Sequence, residues 1–296
     1  MKRGNFIRYK ARRYYLYLII GLLYLMPINA IQGAFLLKAT STSFTIKVGE
    51  RVSDICKRLS ARGLCSSKAL VRIAGTDPLI KYPFVPPPVY SMKRFEGLFS
   101  PGGYTLPINS RKSILYPHDT TRRVLDLFLS RSRDRFKLLK ANGSLSVYQQ
   151  IILASIVEKE AVAHRDYCKI ASVFFNRLNS HMSLDSCPTL EYALGYHRPF
   201  LTRKDTMFES PYNLYRHKGL PPTPIATFSD NALWCVMHPN HTRFYFFVYD
   251  WVTGECYFAH SYREHLQNVQ KARMHFAQKY GKEHLFERLP DKFYEQ

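Results

Sequence analysis

The sequence has few acidic side chains and none of the common metal-binding or nucleic-acid-binding patterns. Only 22 Asp and Glu stand against 43 Lys and Arg among the 296 residues, so the formal charge is +21. A charge of this size favours contact with an anionic polymer or a membrane surface. Zinc-finger spacing, an RNP-like sequence and a helix-turn-helix pattern are all lacking, which makes nucleic acid a poor candidate partner. No Cys-x-x-Cys pair or Cys/His cluster has metal-ligand spacing, so we expect no metal and no other cofactor.

Charged residues are also missing from a long stretch near the N-terminus. Six cations within residues 1–13 precede the uncharged run Tyr14–Leu37, whose most apolar part is Leu16–Met26. About 20 mostly apolar residues span a bilayer, and basic flanks stay in the cytoplasm. A signal anchor over residues 14–37 is favoured over a cleavable signal peptide because the hydrophobic run is long. In either case we expect the rest of the chain to be exported.

The six cysteines would then lie in a compartment where disulfides can form. Six cysteines allow 15 pairings, and spacing alone does not select one. Cys56 and Cys65 lie in one small segment and are a candidate pair. Free, buried thiols are an equally good interpretation.

The clearest local pattern is a helix expected within Ser146–His164. Ser146 with Gln149 three residues later matches a capping box, and no Gly or Pro interrupts the segment. Its apolar residues cover nearly the whole circumference, which predicts a buried helix. Glu158 falls in the middle of the apolar stripe, and Glu160 points to another side.

A carboxyl group in this position has three explanations. Glu158 could be a structural residue paired with an arginine, or it could belong to a surface helix that faces water. Alternatively, burial raises its pKa and keeps it protonated near neutral pH, which makes Glu158 a candidate general acid. The helix by itself leaves the three open.

The remaining patterns predict an α+β fold. A strand at Phe44–Val48 and two short helices form a segment with the outline of a small carbohydrate-binding module or a generic scaffold. Proline-rich Tyr82–Tyr90 predicts a linker, and Phe244–Trp251 with Glu255–His260 predicts a hairpin around Thr253-Gly254. We therefore expect an N-terminal membrane anchor, a small module and a larger helix-rich domain that carries a β-hairpin.

Several segments occur together in the order seen in a known family. They are Leu153–Glu160 (LASIVEKE), Ala171–Leu178 (ASVFFNRL) with Met182, Pro188-Thr189, Tyr212-Asn213, Gly219–Pro222 with Pro224-Ile225, and Tyr257-Phe258 with Glu264-His265. This ordered set, over about Leu153–Val269, resembles the YceG-like proteins, the MltG-type endolytic murein transglycosylases. The resemblance extends to the N-terminal half, with an anchor, a LysM-like module and linker at 44–92, and a catalytic domain at 93–296 that begins near Glu96-Gly97-Leu98-Phe99.

The resemblance implies cleavage of peptidoglycan between N-acetylmuramic acid and N-acetylglucosamine, leaving 1,6-anhydromuramyl ends. It places the catalytic acid, later a base, at Glu158 and needs no cofactor. The matching positions for substrate binding are Asn176, Thr189, Tyr212, Asn213 and Glu160. The implied setting is the bacterial inner membrane, with the catalytic domain in the periplasm and peptidoglycan synthases, such as penicillin-binding proteins, or division proteins as candidate partners.

The sequence departs from the family at several places. The usual Gln-Thr-Asp-Pro-Thr is Asp185-Ser186-Cys187-Pro188-Thr189 here, and Ala161 replaces the Thr that commonly follows the second Glu. Asp185 could restore the lost carboxylate from a position two residues away. These changes put substrate positioning in question and leave a second hypothesis open, a non-catalytic peptidoglycan-binding or division scaffold.

Overall fold

The structure, a computed structural model, describes residues 40–108, 117–137, 139–141 and 145–288. The chain divides into two units, a small one of Met1–Thr42 with Thr105–Asn109 and a larger one of Ser43–Tyr104 with Ser110–Gln296. Only short strand ends of the small unit fall within the described residues. The architecture below is therefore that of the larger unit.

The described part of the chain combines helices with two small two-stranded sheets, which confirms the α+β class. The sheets pair β1 with β2 and β3 with β4. In chain order the elements are β1 (Thr40–Ile46), α1 (Val52–Ser60), α2 (Ser67–Thr76), β2 (Gly102–Ile108), α3 (Pro117–Phe136), α4 (Val147–Glu160), α5 (Tyr167–Asn179), α6 (Cys187–Leu194), α7 (Arg203–Thr206), α8 (Asp230–Met237), β3 (Phe246–Asp250), β4 (Glu255–Ala259) and α9 (Tyr262–Tyr280).

Helix α4 lies at the centre of the larger unit. Its predicted capping box is confirmed, since Ser146 Oγ accepts from the Gln149 N–H and the Gln149 side chain accepts from the Ser146 N–H. Every residue from Gln150 to Val157 is buried, as the all-round apolar pattern predicts. The helix packs against α5, α6 and α8. It ends at Glu160 rather than near His164, because Ala161 takes an extended conformation.

The expected hairpin is confirmed as an antiparallel pair with slightly shorter strands. Its register places Phe246 opposite Ala259 and Asp250 opposite Glu255. Gly254 in the turn has φ of 71° and donates its N–H to the Asp250 carbonyl. A residue without a Cβ suits this left-handed conformation. Helix α9 packs across the hairpin.

A buried carboxyl group joins the N-terminal segment of the larger unit to the rest of that unit. Glu96 is 2% exposed, and it accepts hydrogen bonds from the Val52 N–H at 2.9 Å and from the Tyr192 hydroxyl at 3.0 Å. Gly97 follows with φ of 68°, and a Cβ there would collide with the Pro224 ring. Segment 93–99 therefore bridges α1 and the loop that contains Pro224.

The expected membrane anchor at 14–37 and the cytoplasmic residues 1–13 lie outside the described residues. Among the helices that the structure describes, none combines the length and apolar character needed to cross a bilayer. The boundaries at 44–92 and 93–296 remain predictions.

Candidate active site

Glu158 lies in the last turn of α4 and is the residue around which the site is built. Its side chain is half-buried. The Tyr167 hydroxyl donates to Oε1 at 2.7 Å, and Ser229 donates to Oε2 twice, from its Oγ at 2.6 Å and its N–H at 2.9 Å. Among the residues described by the structure, Glu158 forms no ion pair. The carboxyl group is thus held by neutral donors at both of its oxygen atoms.

Ser229 belongs to the N-terminus of helix α8. It is the N-cap residue, with an extended backbone, and its Oγ accepts from the Ala232 N–H at 3.1 Å while donating to Glu158. The first turn of a helix carries unsatisfied N–H groups and a partial positive charge. The Glu158 carboxylate therefore lies where a helix end stabilises negative charge.

Tyr167, the other partner of Glu158, opens helix α5. Its neighbour Cys168 forms a disulfide with Cys235 of α8. Because the two helices that supply donors to Glu158 are covalently joined, their separation at the carboxyl group is restrained. The candidate pair Cys56–Cys65 is left unbonded, with the sulfur atoms 3.0 Å apart.

A cation lies near the carboxyl group without touching it. Arg135 of α3 donates from Nε to Asp230 at 2.6 Å and from Nη2 to the Phe228 carbonyl at 2.9 Å, and its Nη1 is buried without a partner in the described part of the chain. Burial lowers the pKa of the Arg135 guanidinium, whereas the charges of Asp230 and Glu158 act in the opposite direction. Arg135 thus acts on Glu158 through space.

Glu160, two residues on, belongs to a separate cluster. Its Oε1 accepts a hydrogen bond from the Ser186 hydroxyl at 2.6 Å. Burial raises the pKa of Glu160 to about 7, the nearby Glu191 carboxylate adds to the rise, and Arg177 opposes it. The structure therefore places the two glutamates of α4 in different surroundings.

The loop that departs from the family pattern has its own partners. Asp185, in which φ is 49°, forms a 2.9 Å ion pair with Arg177 Nη1. Cys187 Sγ lies 3.0 Å from the Tyr215 hydroxyl. The Asp185 carboxylate, the candidate replacement for the missing Asp, is thus bound to Arg177. No hydrogen bond or ion pair in the described part of the chain joins Asp185 or Cys187 to Glu158.

The four other predicted substrate-binding residues use their polar atoms within the protein. Asn176 donates to the carbonyls of Thr242 and Phe244, both at 2.9 Å. Thr189, fully buried, donates to the Ser186 carbonyl at 2.9 Å. Neither is brought into contact with Glu158, and their roles with substrate stay predictions.

The polar atoms of Tyr212 and Asn213 are likewise hydrogen-bonded within the protein. The Tyr212 hydroxyl bonds to Thr223 Oγ1 at 2.8 Å. Asn213 is fully buried, donates to two carbonyls of the preceding loop and accepts from the Tyr215 N–H at 3.1 Å. These contacts fix the shape of loop 206–223, and a direct role in binding stays a prediction.

Sequence reasoning missed three residues of the site, Tyr167, Ser229 and Arg135. Ser229 had a detectable pattern, because a Ser followed by Asp230 and an apolar run is a typical helix start. Tyr167 and Arg135 had no such pattern.

In the part of the chain that the structure describes, no group of three or more His, Cys, Asp or Glu residues could hold a metal ion.

Comparison with known proteins gives a consistent set of relatives. The model of the YceG-like family matches residues 25–271. The endolytic murein transglycosylase of Bacillus subtilis (strain 168) is 36% identical over 138 residues, which is 47% of this chain and 38% of that protein. The protein of the same name from Streptococcus pneumoniae serotype 2 is 31% identical over 181 residues, covering 60% of this chain and 32% of its own length.

A solved structure also resembles this fold. A crystal structure from Listeria monocytogenes, described as yceG-like, aligns with a TM-score of 0.61 at 28% identity and covers 76% of this chain and 75% of that one. The chain spans between about a third and two fifths of the length of the curated relatives that it matches.

Proposed function

The chain belongs to the YceG-like family, and from that premise we propose that it is an endolytic murein transglycosylase with Glu158 as its catalytic residue. The observation that carries the proposal is the setting of Glu158, a half-buried residue whose carboxyl group is held by Tyr167 and Ser229. The names of the curated relatives support the same activity.

Glu158 acts first as a general acid. It donates its proton to the oxygen of the bond between N-acetylmuramic acid and N-acetylglucosamine, and the bond from C1 to that oxygen breaks. The Glu158 carboxylate then takes the proton of the muramyl 6-hydroxyl, whose oxygen bonds to C1. No water is consumed, and the product end is a 1,6-anhydro sugar.

The surroundings of Glu158 favour its carboxylate form, which acts as the base in the second half of this cycle. The Ser229 N–H, the Ser229 hydroxyl and the Tyr167 hydroxyl all donate to the carboxylate that exists after the first proton transfer. Arg135 adds positive charge nearby. A hydroxyl can also accept a hydrogen bond, so Tyr167 or Ser229 can rotate its proton away when Glu158 is protonated.

The finer parts of the architecture belong to the same proposal. A strand followed by two helices at 40–76 supports a LysM-like module, and the uncharged run 14–37 supports a single-pass inner-membrane anchor with the catalytic domain in the periplasm. The Cys168–Cys235 disulfide favours an oxidising compartment. Peptidoglycan strands are the proposed substrate, with synthases or division proteins as partners. The loops beside the bound glycan strand would be shaped by the predicted substrate-binding residues Asn176, Thr189, Asn213, Tyr212 and Glu160.

The test is mass spectrometry of glycan strands after incubation with the wild type and with Glu158→Gln. General acid–base catalysis contributes roughly 10²–10⁴-fold, so Glu158→Gln should lower the yield of anhydromuramyl ends by about that factor. Asp134→Asn removes a carboxylate from an exposed position and should leave the yield unchanged. Undiminished product from Glu158→Gln would reject the assignment.

A second function, a non-catalytic glycan-binding scaffold, is favoured by one observation only. Cys187 stands where the family usually has Asp, and Asp185 is bound to Arg177. Retention of strands by the wild type without formation of any anhydro ends would support the scaffold and reject the enzyme.

A further inference from the structure

Helix α8 exposes one large aromatic side chain close to the site. Trp234 is 55% exposed, whereas its helix neighbours Leu233 and Cys235 are buried. Its ring stacks on that of His238, with centroids 4.8 Å apart and planes 28° from parallel. The His238 ring therefore covers one face of the exposed Trp234 ring and leaves the other face without this partner.

This pair belongs to a row along α8 that begins beside Ser229, the hydrogen-bond partner of Glu158. Asp230 and Trp234 are four residues apart and share one face of the helix, and His238, the C-cap residue just after it, stacks on Trp234. Asp230 follows Ser229, which bonds Glu158, and its carboxylate is paired with Arg135. At about 1.5 Å per residue, Trp234 lies ~6 Å and His238 ~12 Å further along the axis than Asp230. The row thus leads away from the acid over a distance comparable to one or two sugar rings.

The chemistry of the row suits a pyranose ring. Such a ring has a face of C–H bonds that packs on a flat aromatic surface, and an edge of hydroxyl and acetamido groups that needs polar partners. Trp234 offers the surface. Asn231 and His238 are also exposed on this helix and offer polar groups at its edge. The negative charge of Asp230 is balanced by Arg135.

The surface is also rigid. Cys235, the residue after Trp234, is disulfide-bonded to Cys168 on α5. A surface that is already ordered loses little conformational entropy when a ligand binds.

We propose that Trp234, with His238 stacked against it, forms a subsite for a sugar ring of the glycan strand, one or two rings from the bond cleaved at Glu158. The substrate class rests on the function proposed above. The position of the subsite rests on the row along α8.

Binding is measured with peptide-free glycan strands and the full chain carrying Glu158→Gln, so that the strands stay intact. In that background, Trp234→Ala should weaken binding about tenfold, near the lower end of the range for nucleic-acid bases that lose an aromatic partner. Trp251→Phe changes the only other tryptophan and should leave the Kd unchanged. Trp234→Phe keeps an aromatic ring and should give an intermediate Kd. This variant also provides the test if Trp234→Ala fails to fold.

Turnover separates the subsite from the function proposed above. With Glu158 intact, Trp234→Ala should raise KM and leave kcat nearly unchanged, whereas Glu158→Gln lowers kcat. If the wild type forms no anhydro ends but strand binding still depends on Trp234, the subsite stands and the enzyme proposal fails. Equal Kd values for Trp234→Ala and Trp251→Phe, or no strand binding at all, would overturn the subsite.

Discussion

Removal of the Cys168–Cys235 disulfide is the most direct test of how the Glu158 site is held together. The bond closes a loop with a sequence separation of 67 residues. The loop-entropy relation gives about 4 kcal/mol of stabilisation at 25 °C for a loop of this length. This is a large fraction of the roughly 5–15 kcal/mol that stabilises a typical protein.

The variant should carry Cys168→Ala and Cys235→Ala together. Alanine is chosen because Cys235 is only 2% exposed, and a serine hydroxyl there would be buried. Urea unfolding of the wild type, of the double variant and of Cys56→Ala gives the three free energies of unfolding. Cys56→Ala is the matched control, because Cys56 is buried and forms no disulfide, so its loss removes only packing and weak sulfur hydrogen bonds.

We expect the double variant to lose about 4 kcal/mol and the control much less. The wild type in a dithiol reductant should resemble the double variant. The kcat of the double variant should fall, because Tyr167 and Ser229 are no longer held at a fixed separation around Glu158. If the double variant is as stable and as active as the control, the disulfide does not hold the site and this reasoning is wrong.

Two further predictions concern buried ionic groups. Burial raises the pKa of Glu96 from 4.5 to about 7. Between these pH values the native state therefore keeps a proton that the unfolded state loses. The stability that comes from this proton is complete below pH 4.5, and roughly 3 kcal/mol of it is lost as the pH rises to 7. Glu96→Gln should therefore make the free energy of unfolding fall less steeply between pH 5 and 7, and an unchanged slope in urea titrations would contradict the assignment. Arg177 donates from Nε to the Tyr245 carbonyl and from Nη1 to Asp185 and two carbonyls, so Arg177→Lys should cost about 2–4 kcal/mol in unfolding experiments because a lysine cannot span these acceptors. The exposed Arg263→Lys is its control, and equal losses from the two would refute the argument.

Local features of the fold follow from short stretches of sequence. The capping box at Ser146, the buried helix after it and the turn at Gly254 each depend on residues within a few positions of one another. Such patterns are short in range, and the structure has them where the sequence predicts them. Helix α8 was missed although Ser229 and Asp230 before an apolar run are a typical helix start, and strand β2 was missed because a strand containing Gly and Pro has a weak pattern.

The sequence by itself determined that Glu158 lies on a buried helix, because burial of α4 is encoded in its own apolar residues. Only the tertiary structure decided what surrounds the carboxyl group. Ser229 is 71 residues away from Glu158 in the chain, and Cys235 is 67 residues away from Cys168. Residues so far apart in the chain come into contact only when whole helices pack together, and local helix propensity does not predict that packing.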